Sequence, residues 1–395
     1  MRVAIIDDAG FGWGRPGLFG KELYVELLAR GLERFGVEVI RVLLGGSPDD
    51  NWVSVRGSDL PIIRVFFDPR LEHDLARILS NVDIVHVNVL NARYPRHIIR
   101  IANSLKKPLV VTMHSWAYLC PTGWVVKMPK YQLDEDPRLR PQCIRCLWSV
   151  GRYYGFNPVW FTLDGFNRVM ALQGLLKRAG AIISPSRLLA DKVRELLRLD
   201  NVHHIPNPVP DDLLALKPNY GGDGSLAFFA RLSHEKGAHL IPEIARRLSG
   251  VIIHVMGDGY LRDYIIGASR KYGNIVYHGF VSNEEKVKIV SNSSLVIMPI
   301  NWVELYSYTV VESFAMGKPV VSFGVGGPKE LIEDSGAGLL ARPFDVDDFI
   351  SKVRYLLGNE DLVRDMGVRG RSFVEKLTVN SYVKRVLEIY REVSR

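Results

Sequence analysis

The chain has 395 residues, 47% apolar and 24% charged, a globular balance that excludes a disordered protein. That is too long for one ordinary hydrophobic core, and it predicts two α/β domains of about 200 residues each. The net charge of +8 comes without any standout block of Lys or Arg, which argues against nucleic acid and leaves an anionic membrane surface or a phosphorylated small molecule.

The first predicted strand is 2–6, carried by the apolar run Val3-Ala4-Ile5-Ile6. It follows Met1-Arg2 directly and is followed by Asp7-Asp8. This is no secretory pattern, and it reads as the start of a cytoplasmic protein. No apolar run approaches the roughly 18 residues that span a bilayer. Gln is scarce (Gln132, Gln142 and Gln173) while Arg and Ile abound, which suggests a heat-adapted source.

After the first strand, Gly12, Gly14 and Gly17 are spaced as G-x-G-x-x-G, the phosphate loop of dinucleotide folds. An NAD enzyme is therefore one reading, with Glu38 of the second strand as its ribose acid. Against it, five residues separate Ile6 from Gly12, and Pro16 delays the helix to about Phe19. From Lys21 to Phe35, the residues Leu23, Leu27, Leu28, Ala29 and Leu32 recur at helical spacing. Further strands are predicted at 37–43, 62–66, 82–87, 108–113, 181–184 and 202–205, with helices at 20–35, 71–80, 93–105, 162–178 and 187–198. This alternation implies a parallel sheet with helices on both faces. His86 and Asn88, at the end of the 82–87 strand, suit either a ligand cleft or the core.

From Ser115 to about Trp160 the pattern breaks into a segment rich in Trp, Tyr, Pro and Cys. All three cysteines, Cys120, Cys143 and Cys146, fall inside it. An odd count excludes a simple disulfide scaffold. Three fates stay open: ligands of a structural zinc, a disulfide in a hyperthermophile, or free thiols. The aromatic-basic stretch 146–169 either packs this insertion onto its domain or meets an acceptor or bilayer interface.

The segment 205–225 holds four prolines and three glycines and reads as a linker. Alternation then restarts, with strands near 226–230, 251–256, 274–277, 294–298, 319–322 and 338–340. Ser282-Asn283-Glu284-Glu285 is a capping box that opens a helix over 283–291. The tail 345–393 reads as mostly helix. Asp345-Val346-Asp347 is a D-x-D string, but with Asp348 beside it the better reading is a helix-start acidic cluster.

The richest stretch is 298–334. Glu304 and Glu312 are eight positions apart, and a helix is predicted to begin around Ser307. Its N-terminus, at Ser307 and Tyr308, offers backbone N–H groups to an anion. Two carboxylates beside that end can each accept hydrogen bonds from sugar or ribose hydroxyls.

This pattern, E-x7-E followed by a small-residue helix and G-x-P-V-V, resembles the retaining GT-B glycosyltransferases of family 4. Four motifs over most of residues 200–345 agree in order. FFARLSHEKGAHLI (228–241) matches the strand–R-L–K-G motif, which makes Arg231 and Lys236 the diphosphate-binding residues. VMGDGYLRDYI matches the next strand and Gly turn at Gly257. The segment around Phe280 and Val281 matches the backbone that contacts the nucleobase, and VHHIPNPV matches the interdomain linker. In the first half, VTMHSW resembles the strand-end motif whose histidine, here His114, contacts the donor sugar. The first loop resembles the family's G-G only at Gly20, so either Gly17 or Gly20 approaches the donor phosphate.

The resemblance implies a GT-B architecture of two doubly wound domains facing a central cleft. Residues 1–206, with the insertion 115–160, would be the acceptor-side domain and 207–378 the nucleotide-sugar domain. Helix 379–395 would return to the first. It implies transfer of a hexose-type sugar from a nucleoside diphosphate sugar with retention, by an enzyme needing no catalytic metal. The acceptor stays open among small sugar, polysaccharide, lipid-linked sugar and protein, with the enzyme in the cytoplasm or peripheral at the inner membrane face. An NAD oxidoreductase, a same-fold epimerase or hydrolase, and a non-catalytic sensor are the rival readings.

Overall fold

The computed structural model describes residues 1–8, 20–45, 52–55, 68–123, 125–127, 132–134, 136–153 and 155–395. The chain divides into two units, Met1–Pro208 with Val379–Arg395, and Val209–Thr378.

The first unit begins with β1 (Arg2–Asp8), α1 (Gly20–Arg34), β2 (Glu38–Leu44), β3 (Val53–Val55), α2 (Pro69–Leu79) and β4 (Ile84–Val87). Next come α3 (Pro95–Ser104), β5 (Leu109–Thr112), the short antiparallel pair β6 (Val126–Lys127) and β7 (Gln132–Leu133), and α4 (Cys143–Tyr153). It continues through α5 (Pro158–Arg178), β8 (Ala181–Ser184), α6 (Arg187–Leu197) and β9 (Val202–His204). Seven strands form one parallel sheet in the order β3-β2-β1-β4-β5-β8-β9. The order reverses between β1 and β4, the switch point where such sheets bind ligands at their carboxyl edge.

Local chemistry sets several of these boundaries. Asp68 caps α2 by accepting from the Leu71 N–H at 3.2 Å, and Pro69 supplies a preset first-turn φ. Asn157 does the same for α5, accepting from Val159 and Trp160 before Pro158. That cap starts α5 at Pro158 rather than at the expected residue 162. The segment 115–160 is also more ordered than its composition predicts, since α4 lies within it and packs on α5. The strand predicted at 62–66 falls outside the described residues, while β3 was not predicted. Three residues are too short for a period-2 pattern to register.

The second unit contains α7 (Asp211–Ala215), β10 (Leu226–Phe229), α8 (Ile241–Arg247), β11 (Ile253–Met256), α9 (Arg262–Lys271), β12 (Ile275–Gly279) and α10 (Asn283–Asn292). It continues with β13 (Leu295–Met298), α11 (Tyr308–Ala315), β14 (Val320–Phe323), α12 (Gly326–Ser335), β15 (Gly338–Ala341), α13 (Val346–Leu357) and α14 (Glu360–Val374). Its six strands are parallel in the order β12-β11-β10-β13-β14-β15, with the switch point between β10 and β13. The expected linker 205–225 holds the short helix α7. Asp345 caps α13 by accepting from Asp348 N–H at 3.0 Å, so one carboxylate of the D-x-D string serves a helix end.

The last helix, α15 (Val379–Val393), belongs to the first unit. It buries Tyr382, Val383, Val386 and Tyr390 in the core with Tyr24, Leu28 and Ile5. Among the described residues, no helix is long and apolar enough to cross a membrane.

Candidate active site

In the second unit, the loops after four neighbouring strands carry the chemistry. Arg231 and Lys236 follow β10. Arg231 pairs with Glu235 at 3.0 Å, and Glu235 accepts from the Tyr260 hydroxyl at 3.1 Å. Tyr260 in turn accepts from the His234 backbone N–H at 2.7 Å. Lys236 reaches across to Glu304, donating to its Oε1, and lies 5.6 Å from the centre of the Trp302 ring. Glu304 Oε2 is buried and has no partner among the described residues. A buried carboxylate oxygen without a donor is costly, and it awaits a hydroxyl or N–H.

Glu312 lies inside α11, where Lys286 of α10 donates to its Oε2 at 2.7 Å. The Lys286 ammonium lies 5.7 Å from the centre of the Phe229 ring, and the Thr309 hydroxyl donates to Phe229 O at 3.3 Å. Phe229, the last residue of β10, thus joins the Glu312 group to the loop that carries Arg231. Ser307 is the N-cap of α11; its hydroxyl accepts from Val310 N–H at 3.4 Å. The Ser307 side chain is therefore spent on the helix. The first-turn N–H groups are what α11 offers an anion.

Gly257, after β11, has φ +134, and a Cβ there would sit 2.0 Å from Ala230 O. Only glycine lets this turn close over β10. Its N–H donates to Gly279 O at 2.7 Å, which links it to the turn bearing Phe280 and Val281. Phe280 is 64% exposed although large and apolar, as a residue waiting on a flat ligand would be.

In the first unit, the matching edge of the sheet holds His114. Its Nε2–H donates to Asn88 Oδ1 at 2.9 Å. Burial, then the charges of Lys21 and His86, hold its pKa well below the ordinary histidine range. The ring is therefore neutral with Nδ1 as an acceptor, fit to take a hydrogen bond from a hydroxyl. Gly20 is exposed and opens α1. Gly17, like Gly12 and Gly14, lies outside the described residues.

Beside His114 is a cluster the sequence reading passed over. Lys21 donates to Asp7 Oδ1 at 2.6 Å, Asp8 O at 2.9 Å and Asp8 Oδ1 at 2.8 Å. Asp8 Oδ2 accepts from Leu90 and Asn91 N–H at 2.9 and 2.6 Å. Burial pushes the Asp7 carboxyl up to about 7, against the pull of Lys21. The one sequence signal for this cluster is two carboxylates at the carboxyl end of a fully apolar strand.

Behind it, His86 accepts or donates at both nitrogens, to Tyr390 Oη at 2.6 Å and Thr112 Oγ1 at 2.7 Å. His86 and Asn88 are both fully buried. Burial lowers the His86 pKa from the ordinary histidine value near 6.5 to about 3. The unfolded chain thus binds one more proton than the folded chain between those limits. The stability from neutral His86 is complete above about pH 6.5 and falls by about 1.4 kcal/mol per pH unit below it. His86→Gln should remove that slope. Urea unfolding of both proteins between about pH 4 and 6 measures the difference, in which the opposite contribution of Asp7 cancels.

The three cysteines are in no disulfide. Cys120 Sγ lies 3.2 Å from Thr122 Oγ1, and Cys143 Sγ donates to Arg138 O at 3.7 Å. Among the described residues no group of three His, Cys, Asp or Glu is placed to hold a metal ion. Zinc ligation is one of the three fates that the sequence leaves open for Cys120, Cys143 and Cys146; Cys143 and Cys146 lie in the first turn of α4, and Cys143 donates to the Arg138 carbonyl.

Two family models match successive parts of the chain: Glycosyltransferase Family 4 over residues 20–213, and Glycosyl transferases group 1 over residues 217–373. The chain belongs to this glycosyltransferase family. Among curated relatives of this glycosyltransferase, the alpha-D-kanosaminyltransferase of Streptomyces kanamyceticus is 25% identical over 239 residues, 55% of this chain and 62% of that protein. The glycogen synthase of Mycobacterium tuberculosis is 24% identical over 222 residues, 53% of this chain and 52% of that protein. The match thus spans about half to three-fifths of these relatives. In fold, the glycosyltransferase is similar to Anabaena Alr3699/HepE, solved in complex with UDP, with a TM-score of 0.71 and 16% identity over 98% of this chain and 99% of that one. That likeness is one of fold, and the fold is the GT-B architecture expected from the motifs.

Proposed function

We propose that this chain transfers a hexose-type sugar from a nucleoside diphosphate sugar to an acceptor hydroxyl, with retention at the anomeric carbon. The observation that carries the reading is the Lys236–Glu304 pair, with the second Glu304 oxygen buried and unpartnered. A sugar hydroxyl supplies the donor that this oxygen lacks, and a diphosphate supplies a second anion for Lys236. In the reaction, the bond from the anomeric carbon to the diphosphate oxygen breaks and a bond to the acceptor oxygen forms. The acceptor proton leaves with the diphosphate. The difficult event is the growth of negative charge on the departing diphosphate. Arg231, Lys236 and the first turn of α11 are preorganised donors for that charge. Glu312, held by Lys286, takes a hydroxyl of the nucleoside ribose, and Phe280 with Val281 flanks the base. The first unit receives the acceptor, with His114 accepting from a hydroxyl of the donor sugar.

Calorimetric titration with UDP, GDP, ADP and NADH tests the donor assignment. One nucleoside diphosphate should bind, and Arg231→Ala should weaken it about tenfold, the size of one charge-assisted hydrogen bond. NADH binding that is indifferent to Arg231→Ala would replace this reading with an oxidoreductase. The anomeric proton coupling of the product then reports retention. Because protein cations carry the charge compensation, transfer should proceed at the same rate with excess EDTA.

A further inference from the structure

The helical hairpin α4–α5 exposes several large apolar side chains. Trp148 is 43% exposed, Phe156 54%, Val159 51%, Trp160 61% and Leu163 57%. Phe156 is stacked on Phe161 with ring centroids 5.5 Å apart, which gives the hairpin tip a rigid aromatic ridge. The faces that join the two helices are used separately: Leu147, Val150 and Gly165 are buried. The exposed residues are thus a second face, not a core left half open. Isolated exposed hydrophobics are ordinary, but five within sixteen residues at one hairpin tip mark a contact surface.

The charge pattern names the partner. From Pro137 to Leu163 the sequence has four arginines and no Asp or Glu. Arg138 and Arg140 are paired with Asp136 and Asp134. Arg145 and Arg152, on the solvent side of α4, are exposed and have no carboxylate partner among the described residues. Trp and Phe beside unpaired arginines suit the boundary between headgroups and acyl chains, where rings stay half wet and cations meet phosphates. A second copy of the chain fits less well, because a self-complementary contact would bring Arg145 and Arg152 of one copy toward those of the other, with Asp164 the one exposed carboxylate beside Leu163.

We propose that the α4–α5 hairpin tip docks the protein on the surface of an anionic lipid bilayer, with Trp148, Phe156, Val159, Trp160 and Leu163 entering the interface and Arg145 and Arg152 binding lipid phosphates. The surface shares no residue with the donor site and does not depend on the proposed reaction.

The test is co-sedimentation of the full chain with phosphatidylcholine vesicles and with vesicles containing about a third phosphatidylglycerol. The wild type should bind the anionic vesicles at least tenfold more tightly than the neutral ones, and binding should weaken with salt. The double variants Trp160→Ser/Leu163→Ser and Arg145→Glu/Arg152→Glu should each bind anionic vesicles at least tenfold less. Circular dichroism melting should be unchanged, because the replaced side chains are exposed. Nucleotide affinity should also be unchanged, which separates a failure of this surface from a failure of the donor assignment. The proposal is overturned if the wild type ignores anionic vesicles, or if neither variant alters binding. It is overturned too if sedimentation velocity shows a dimer that Trp160→Ser/Leu163→Ser dissociates, since the patch would then be an interface between copies.

Discussion

Replacing Lys236 by alanine should lower kcat/KM for sugar transfer by about 10²–10³-fold, the cost of about 2.7–4 kcal/mol that attends removal of one preorganised donor to a developing anion. Lys236 is part-buried and already aimed, since Glu304 and the Trp302 ring hold its ammonium in place. Little reorganisation then remains when the diphosphate charge grows. The same substitution strips Glu304 of its cation, leaving a buried carboxylate with neither oxygen paired to charge. Both consequences act on the reacting sugar, so kcat should fall further than affinity for the free nucleoside diphosphate. Initial rates of nucleotide release, set beside calorimetric affinities for wild type and variant, separate the two. A variant that turns over at the wild-type rate would remove Lys236 from the chemistry altogether.

The second large effect is structural and comes from Gly326. It has φ +59, and a Cβ there would lie 2.3 Å from Glu304 O and 2.9 Å from Glu304 N. The next residue, Gly327, donates its N–H to Glu304 O at 2.6 Å. The start of α12 therefore serves as the bed on which the Glu304 backbone rests. Gly326→Ala must both adopt a left-handed conformation and displace that backbone. The expected loss is about 2–4 kcal/mol of stability, combining αL strain with overpacking. The expected loss of kcat is tenfold or more, because a carboxylate shifted by about an ångström no longer meets its target. Urea unfolding reads the first and steady-state rates the second. A stable variant with normal rates would show that Glu304 does not depend on this bed.

The sequence carried some of this site well and some not at all. Arg231, Lys236, Glu304 and Glu312 were legible because they lie in short motifs at fixed spacing on a strand–loop–helix frame. Their partners were not. Lys286 sits 26 residues before Glu312 and in another helix, with no local pattern to connect them. Lys21 was read only as part of a helix, and its bonds to Asp7 and Asp8 depend on where α1 starts above β1. The aromatic stretch left open whether its rings pack inward. The hairpin resolves that by sending Leu147 and Val150 inward and Trp148 and Trp160 outward. The cysteines stayed open because C-x-x-C spacing is shared by zinc ligands, disulfides and ordinary helix starts; the structure places Cys143 and Cys146 in the first turn of α4 as free thiols.

By itself, then, the sequence determined the class of fold and the identity of the charged groups. Alternating apolar runs and amphipathic helices dictate parallel α/β units, and capping residues such as Ser282 and Asp345 mark helix starts by local hydrogen bonding. These are short-range properties, readable wherever they occur. Only the tertiary structure decided which charges meet: Lys236 with Glu304, Lys286 with Glu312, and Lys21 with Asp7 and Asp8. It also decided that Tyr382 and Tyr390 of the last helix return to bond Tyr24 and His86 of the first unit, across 358 and 304 residues of sequence. The physical reason is that pairing energies depend on distance and burial. Both are fixed by how the strands order themselves in the sheets, not by neighbours along the chain.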